Sequence, residues 1–135
     1  MIAIICLDDK NGYLFNKRRQ SKDSVLRERI LSLACESKLW MNAYTQKQFE
    51  EQTGSFIEVS EDFADSAQNG EYCFFENVSP TDYENKIEKV IIFKWNKIYP
   101  SDVKFNMDLS DFKLVSQEDF KGSSHDKITM EVYVK

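Results

Sequence analysis

The sequence predicts an α/β fold: a three-layer sandwich whose mixed, mainly parallel sheet ends in a C-terminal antiparallel strand pair. Strand-like and helix-like segments alternate over residues 1–95, which is typical of parallel strands joined by crossover helices. Beyond residue 100, two strand-like segments follow each other without a helix between them, which favours antiparallel pairing. The 135 residues are 41% hydrophobic and include only 4 glycines and 2 prolines, so we expect residues 1–135 to form a single domain.

The first half of the chain supplies strands and helices in turn. A continuous apolar run at residues 2–7 indicates a strand buried on both faces, and residues 8–12 are typical of a turn. Residues 21–35 carry apolar side chains at helical spacing, with Ser21 and Asp23 placed to accept hydrogen bonds from the first amides. The same patterns predict a strand at 38–41, a helix at 45–51, a strand at 56–59 and a helix at 61–67 that begins after Ser60.

The second half changes from alternation to strands alone. It begins with a turn at 69–70, a strand at 71–75, a short helix from Pro80 and a very apolar strand at 89–95. Two further strands, at 112–115 and 128–134, are expected to pair antiparallel across a loop over 117–126.

The most apolar strands are expected at the centre of the sheet. We predict that residues 2–7, 72–75 and 90–93 lie side by side. The predicted core contains Ile4, Leu26, Ile30, Leu33, Phe74, Ile91, Phe93 and Val132.

Charge and apolar run length exclude several function classes. The net charge of -5 disfavours binding to nucleic acid, because phosphate neutralisation needs a basic surface. No apolar run approaches the roughly 20 residues of a membrane span, and the N-terminus has no basic lead-in, so we expect a cytoplasmic protein without a membrane partner. Cys6, Cys35 and Cys73 form no C-x-x-C pair and are expected to be reduced core residues.

The chain has one histidine, His125. Zinc hydrolases need two or three imidazoles at fixed spacing, so no metal site is expected. A Ser-His-Asp triad would have to use His125, but this residue lies in a turn-like run at 122–126 and is expected to be exposed to solvent. The glycine motifs of common phosphate-binding loops are absent as well.

The order of elements, together with particular residues, resembles the dihydrofolate reductase family. Residues 88–105 are similar to the family's late central strand and following loop, including an Asp-x-x-Phe motif at Asp102 and Phe105. Residues 38–45 are similar to the second strand and the start of the helix that binds cofactor phosphate. The resemblance covers nearly the whole chain and implies the same fold.

The resemblance also implies site residues. Asp23 stands in the first turn of the predicted helix, where the family protonates or anchors the pterin ring, and is the candidate catalytic acid. Tyr44 and Thr45 stand at the cofactor-phosphate helix, while Glu76 and Asn77 stand where the family's Gly-Gly pair binds pyrophosphate. An aspartate at such a position also stabilises a helix by accepting from its first amides, which is the structural alternative for Asp23.

Departures from the family pattern predict that competent NADPH binding is lost. Side chains at Glu76 and Asn77 obstruct close backbone approach, and the carboxylate repels phosphate. Ala43 stands where the family's arginine contacts the 2'-phosphate. We therefore expect no cofactor, with NADPH as the candidate if one binds.

Three functions are compatible with these observations. The first is a small-ligand-binding or interaction domain on a dihydrofolate reductase-like scaffold. The second is an NADPH-dependent reductase of a pteridine-like or other small heterocycle, and the third is a structural or regulatory homodimer. Any ligand site is expected at the carboxyl edge of the sheet, between Leu7, the Asp23 helix, the Thr45 helix and the turn at 75–77. The basic segment at 16–22 is expected to be a solvated loop or, alternatively, an anion contact.

Overall fold

A computed structural model describes residues 1–49 and 54–135, and its main feature is a seven-stranded sheet. The strands are β1 (Ile2–Leu7), β4 (Leu39–Met41), β5 (Ile57–Val59), β6 (Tyr72–Phe74), β7 (Lys89–Lys94), β9 (Lys113–Phe120) and β10 (Ile128–Val134). Their order is β5-β4-β6-β1-β7-β10-β9, with β1 parallel to β6 and β7, and β10 antiparallel to β7 and β9. The predicted class, the three adjacent central strands and the antiparallel pair are confirmed.

A small second sheet contains β2 (Gly12–Phe15), β3 (Arg18–Arg19) and β8 (Val103–Lys104), in the order β3-β2-β8. Asn16 and Lys17 connect β2 to β3 with φ angles of 51° and 63°, the left-handed geometry of a tight hairpin turn. The basic segment expected to be a loop is therefore partly a hairpin, and strands this short carry no periodic signal in the sequence. The hairpin matters because it brings Arg19 to the edge of the main sheet.

The helices differ in their bounds from those that the sequence patterns predicted. They are α1 (Ser24–Ala34), α2 (Ala43–Gln46), α3 (Phe63–Ser66) and two 3₁₀ helices at Lys47–Phe49 and Pro80–Lys86. The first begins three residues later than expected because Asp23 is extended, with φ -156° and ψ 128°, and acts as its N-cap. Residues 50 and 51 of the helix predicted at 45–51 lie outside the described residues. Across the described ranges, no helix is long and apolar enough to cross a bilayer.

The main sheet separates two hydrophobic clusters. Alternate residues of β1 point to opposite faces, so Ala3 and Ile5 join one cluster while Ile2 and Ile4 join the other, which packs against α1. Of the predicted core residues, all are buried except Leu33 and Val132, which are partly buried against the α1-side cluster. Both faces of the sheet are thus covered, as the three-layer prediction required.

Two sequence expectations about the end of the chain and the cysteines are wrong. Strand β9 continues to Phe120, so the loop predicted from residue 117 starts at 121. Nearly all of this strand is exposed, which removes the alternation of apolar and polar residues that marks a half-buried strand. Cys73 is buried, but Cys6 is half-buried and Cys35 is exposed because it follows the last turn of α1.

Candidate functional site

The candidate site lies at the carboxyl ends of β1, β4 and β6, which meet at one edge of the sheet because these strands run parallel. Arg19, delivered by β3, crosses this edge and binds Glu76, which follows β6. The Arg19 Nε donates to Glu76 Oε2 at 2.9 Å, and Nη2 donates to Oε1 at 3.1 Å. Two parallel charge-assisted bonds of this kind fix both side chains in position.

Arg19 is also bound to Tyr44 on α2. Its guanidinium lies 4.3 Å from the centre of the Tyr44 ring, and Nη2 donates to the Tyr44 carbonyl oxygen at 3.2 Å. The Arg19 backbone amide donates to the Tyr44 hydroxyl at 2.8 Å. Arg19, Tyr44 and Glu76, called the Arg19 cluster below, therefore bridge the end of β6 to α2.

A small cavity lies beside the Arg19 cluster. The cavity beside the Arg19 cluster has a volume of about 10 Å³, room for about one water molecule. Ligand pockets usually measure about 300–1,000 Å³. Cys6 lines this cavity, and burial together with the nearby Glu76 carboxylate raises the pKa of its thiol well above the ordinary value. A neutral thiol is a poor nucleophile, so Cys6 supplies no reactive group here.

Two of the amides that begin α2, those of Ala43 and Thr45, already have partners. Asn42 caps the helix: its Oδ1 accepts from the Thr45 amide at 3.1 Å, and its Nδ2 donates to Asn77 Oδ1 at 2.8 Å. The Ala43 amide donates to Glu61 Oε2 at 3.0 Å. A protein carboxylate thus stands at the helix start where the family pattern implies a phosphate.

Thr45 and Asn77 both lie at this edge, as predicted. Asn77 is engaged with Asn42, while Thr45 is fully buried and its hydroxyl has no hydrogen-bond partner among the described residues. Neither Asn42 nor Glu61 was predicted from the sequence as a site residue. An asparagine directly before a helix is a recognisable cap, but nothing in the sequence connects Glu61 to a helix that begins 18 residues earlier.

Asp23 lies apart from the Arg19 cluster, at the start of α1. Its Oδ1 accepts hydrogen bonds from the amides of Val25 at 3.0 Å and Leu26 at 3.2 Å, the usual arrangement of a helix N-cap. Within the described residues, no three His, Cys, Asp or Glu side chains converge to hold a metal ion, here or elsewhere.

Asp23 is further bound by the loop between β9 and β10. The Ser123 amide donates to Oδ1 at 2.9 Å, and the Ser124 amide donates to Oδ2 at 2.8 Å. The Ser124 hydroxyl and His125 Nδ1 also contact Oδ2, at 3.2 and 3.0 Å. Burial alone would raise the pKa of Asp23, but these hydrogen bonds, led by the one from His125, lower it far below its usual range.

The expectation that His125 is an exposed turn residue is wrong. Only 4% of the residue is exposed, and its ring stacks on Trp95 with centroids 4.4 Å apart. Its Nε2 lies 2.8 Å from the Tyr99 hydroxyl and 3.1 Å from Ser21 Oγ. The sequence at residues 122–126 is typical of a solvated turn. In the structure, however, several of its polar groups bind the buried carboxylate of Asp23.

A serine, a histidine and an aspartate are in contact here in the sequence of a hydrolase triad: Ser21 with His125, and His125 with Asp23. Their geometry does not support catalysis by such a triad. The Tyr99 hydroxyl is closer to His125 Nε2 than Ser21 Oγ is, so the serine does not have sole use of the base. The cavity that Ser21 lines measures about 10 Å³, which leaves no room for an acyl substrate.

A solved structure shares this arrangement of strands and helices. Dihydrofolate reductase from Enterococcus faecalis, complexed with NADP(H) and RAB-propyl, superposes with a TM-score of 0.70 over 98% of this chain and 94% of that chain, at 10% sequence identity. Comparison of the sequence with protein-family models and with curated proteins finds no match. At such low identity the likeness concerns the fold, and this chain has the dihydrofolate reductase fold.

Proposed function

We propose that this protein is a small-ligand-binding or interaction domain on the dihydrofolate reductase fold that has lost competent NADPH binding. The observation that carries the proposal is the Arg19 cluster, which fills the carboxyl edge of the sheet with the protein's own side chains. For a dinucleotide to occupy the space that Arg19 fills, Arg19 would have to leave both Glu76 and Tyr44. The cost would include two charge-assisted hydrogen bonds, each worth about 1.5–3 kcal/mol.

The charges at this edge also oppose an anionic cofactor. Glu76 and Glu61 both present carboxylates there, and Arg19 neutralises only the first of them. Helix amides attract phosphate when they are free, but the amides of Ala43 and Thr45 already donate to Glu61 and Asn42. These contacts support the loss of NADPH affinity predicted from the side chains at 76 and 77.

For Asp23 we propose a positioning role. A general acid works best with a pKa near the operating pH, whereas the hydrogen bonds on Asp23 hold its pKa far below that range. Both carboxylate oxygens are directed at α1 and at the loop around His125. In this role Asp23 joins the helix to the loop and donates no proton to a ligand.

The reductase alternative has its own support. The similar solved structure is a dihydrofolate reductase complexed with NADP(H), and the buried Thr45 hydroxyl at α2 is without a partner among the described residues. Such a hydroxyl could serve a cofactor if the Arg19 cluster opened. This alternative therefore requires movement of the β2–β3 hairpin.

The homodimer alternative would use β9. This strand lies at the edge of the main sheet, and Leu114 and Val115 are exposed on it. Lys113 lies near one end and Glu118 near the other, so antiparallel pairing of two copies would bring opposite charges together. Sedimentation at about 100 µM tests it: a dimer that Val115→Lys dissociates supports this alternative, and a monomer contradicts it.

Titration with NADPH tests the proposal. We expect no change in melting temperature up to about 1 mM NADPH, with a dihydrofolate reductase as the positive control. With NADPH at about 100 times its Kd, the free energy of unfolding of a reductase would rise by about 2.7 kcal/mol. That gain raises the melting temperature of a domain of this size by several degrees. A saturable shift would contradict the proposal and support the reductase.

A further inference from the structure

We propose that the protein binds a small amphipathic amine in a pocket on the face of the sheet opposite α1, with Glu131 as the acceptor for the ammonium group. This inference goes beyond the proposed function, because it depends on residues outside the Arg19 cluster. It would hold even if NADPH bound at the strand ends.

The pocket lies between the sheet and the segment that follows β8. Its volume is about 300 Å³, which falls within the range of small-molecule sites and far exceeds the cavity beside the Arg19 cluster. Its apolar wall is formed by Leu7 and Ile92 from the sheet and by Phe105, Met107 and Leu109 from the facing segment. The rest of the lining is polar, so the pocket suits a ligand with both an apolar ring system and a polar group; these polar side chains belong to Asn11, Lys94, Glu131 and Tyr133.

Glu131 gives the pocket a buried acid. The residue lies on β10 and only 8% of its side chain is exposed, so its polar atoms need partners. Oε1 accepts from the Tyr133 hydroxyl at 3.0 Å and lies 3.5 Å from Lys94 Nζ. Among the described residues, the polar contact of Oε2 is a long one, with Gln117 Nε2 at 3.5 Å. A carboxylate oxygen accepts two good hydrogen bonds, so Oε2 has unused capacity.

The distribution of charge favours a cation over an anion. Lys94 lies nearer the solvent than Glu131, with 40% of its side chain exposed, and its flexible stem allows the ammonium to turn outward. An anionic ligand that contacted Lys94 would bring a second negative charge close to the buried Glu131. The net charge of -5 also favours the approach of cations.

The test uses 1-naphthylmethylamine as the probe, with 1-naphthalenemethanol and 1-naphthaleneacetate as neutral and anionic counterparts that carry the same ring system. Binding is measured by chemical-shift changes of backbone amides in ¹⁵N-labelled protein. We expect the amine to bind saturably, with its largest shifts at Ile92, Met107 and Glu131. The alcohol should bind roughly tenfold more weakly, because charge-assisted hydrogen bonds are about twice as strong as neutral ones. The acetate should be weaker still.

Two variants locate the binding. Glu131→Gln should reduce amine affinity roughly tenfold, to the level of the alcohol, while the matched Glu118→Gln on exposed β9 should leave it unchanged. Met107→Trp should fill the pocket and abolish binding of both ligands without lowering the melting temperature, and it decides the question if Glu131→Gln does not fold. The proposal is overturned if wild type does not bind the amine at millimolar concentration, if the acetate binds better, or if either pocket variant binds like wild type.

Discussion

Asp23 and His125 are 102 residues apart in the chain, yet Oδ2 of the aspartate lies 3.0 Å from Nδ1 of the histidine, and both side chains are almost completely buried. The contact joins the start of α1 to the loop between β9 and β10. Because His125 also stacks on Trp95, it connects this loop to the end of β7. One polar pair thus fixes three separate parts of the fold.

Replacing Asp23 by asparagine should destabilise the protein by about 3 kcal/mol, because a buried carboxylate with several donors loses its charge and one acceptor oxygen. Urea unfolding followed by fluorescence measures the change. The matched control is Asp126→Asn in the same loop, where the residue is exposed and the expected change is under about 0.5 kcal/mol. Equal effects of the two substitutions would contradict the structural role given to Asp23.

Acid should weaken the fold through the same residue. The folded-state pKa of Asp23 is far below the ordinary value of about 3.9, so its ionised form stabilises the fold. This contribution is complete above about pH 5 and is lost as the pH falls through the folded-state pKa.

The free energy of unfolding should therefore fall more steeply between pH 5 and pH 2 in wild type than in Asp23→Asn. Asp8 and Glu71 also have lowered pKa values, since amide hydrogen bonds outweigh the effect of their burial, and they remain in the variant. Some acid sensitivity should thus persist. Parallel profiles for the two proteins would show that Asp23 is not the dominant acid-sensitive group.

Opening the Arg19 cluster should cost stability. Arg19→Met leaves the buried Glu76 carboxylate without its cation, and we expect a loss of about 2 kcal/mol. Arg18→Met, on the same strand but exposed, is the matched control and should change stability little. Adding Glu76→Gln to the Arg19 variant should recover part of the loss, because the unpaired charge is then removed. A loss that persists unchanged in the double variant would argue against a specific pair.

Lys17→Gly should stabilise the β2–β3 hairpin. Lys17 has a φ of 63°, a conformation that disfavours side chains, so glycine should add about 0.5–1 kcal/mol to the free energy of unfolding. Lys10 is not among the residues with positive φ, so Lys10→Gly should instead lower the free energy of unfolding slightly. Thermal unfolding of both variants distinguishes relief of backbone strain from a general effect of removing a lysine.

The main sheet could be predicted because its central strands have unusual patterns. The segments at β1 and β7 are continuous apolar runs, which indicate strands covered on both faces, and β10 alternates enough to be recognised. Strand β9 was predicted only in part because almost every residue of it is exposed. Hydrophobic periodicity reports burial, so an exposed strand has little of it.

For the candidate site, the sequence predicted the location but not the contacts between side chains. The family resemblance singled out Tyr44, Thr45, Glu76 and Asn77, and the parallel strand order placed them at one edge. The partner of Glu76 is Arg19, however, which lies in a segment without a periodic pattern. His125 was misjudged for a similar reason. A run of Gly, Ser, His and Asp is typical of a solvated turn, and its burial depends on Asp23, 102 residues earlier. Such pairs depend on tertiary structure and leave no local pattern.

Under the proposed function, Arg19 occupies the edge of the sheet and keeps NADPH out. The most direct measurement is the NMR signal of the Arg19 side-chain Nε–H group, which donates to Glu76 at 2.9 Å. We expect this signal and the backbone amide signals of Tyr44 and Glu76 to stay unchanged when NADPH is added to about 1 mM. A saturable shift of the Arg19 signal together with these amides would show that the cofactor displaces the arginine, and would rule out the proposed loss of NADPH binding.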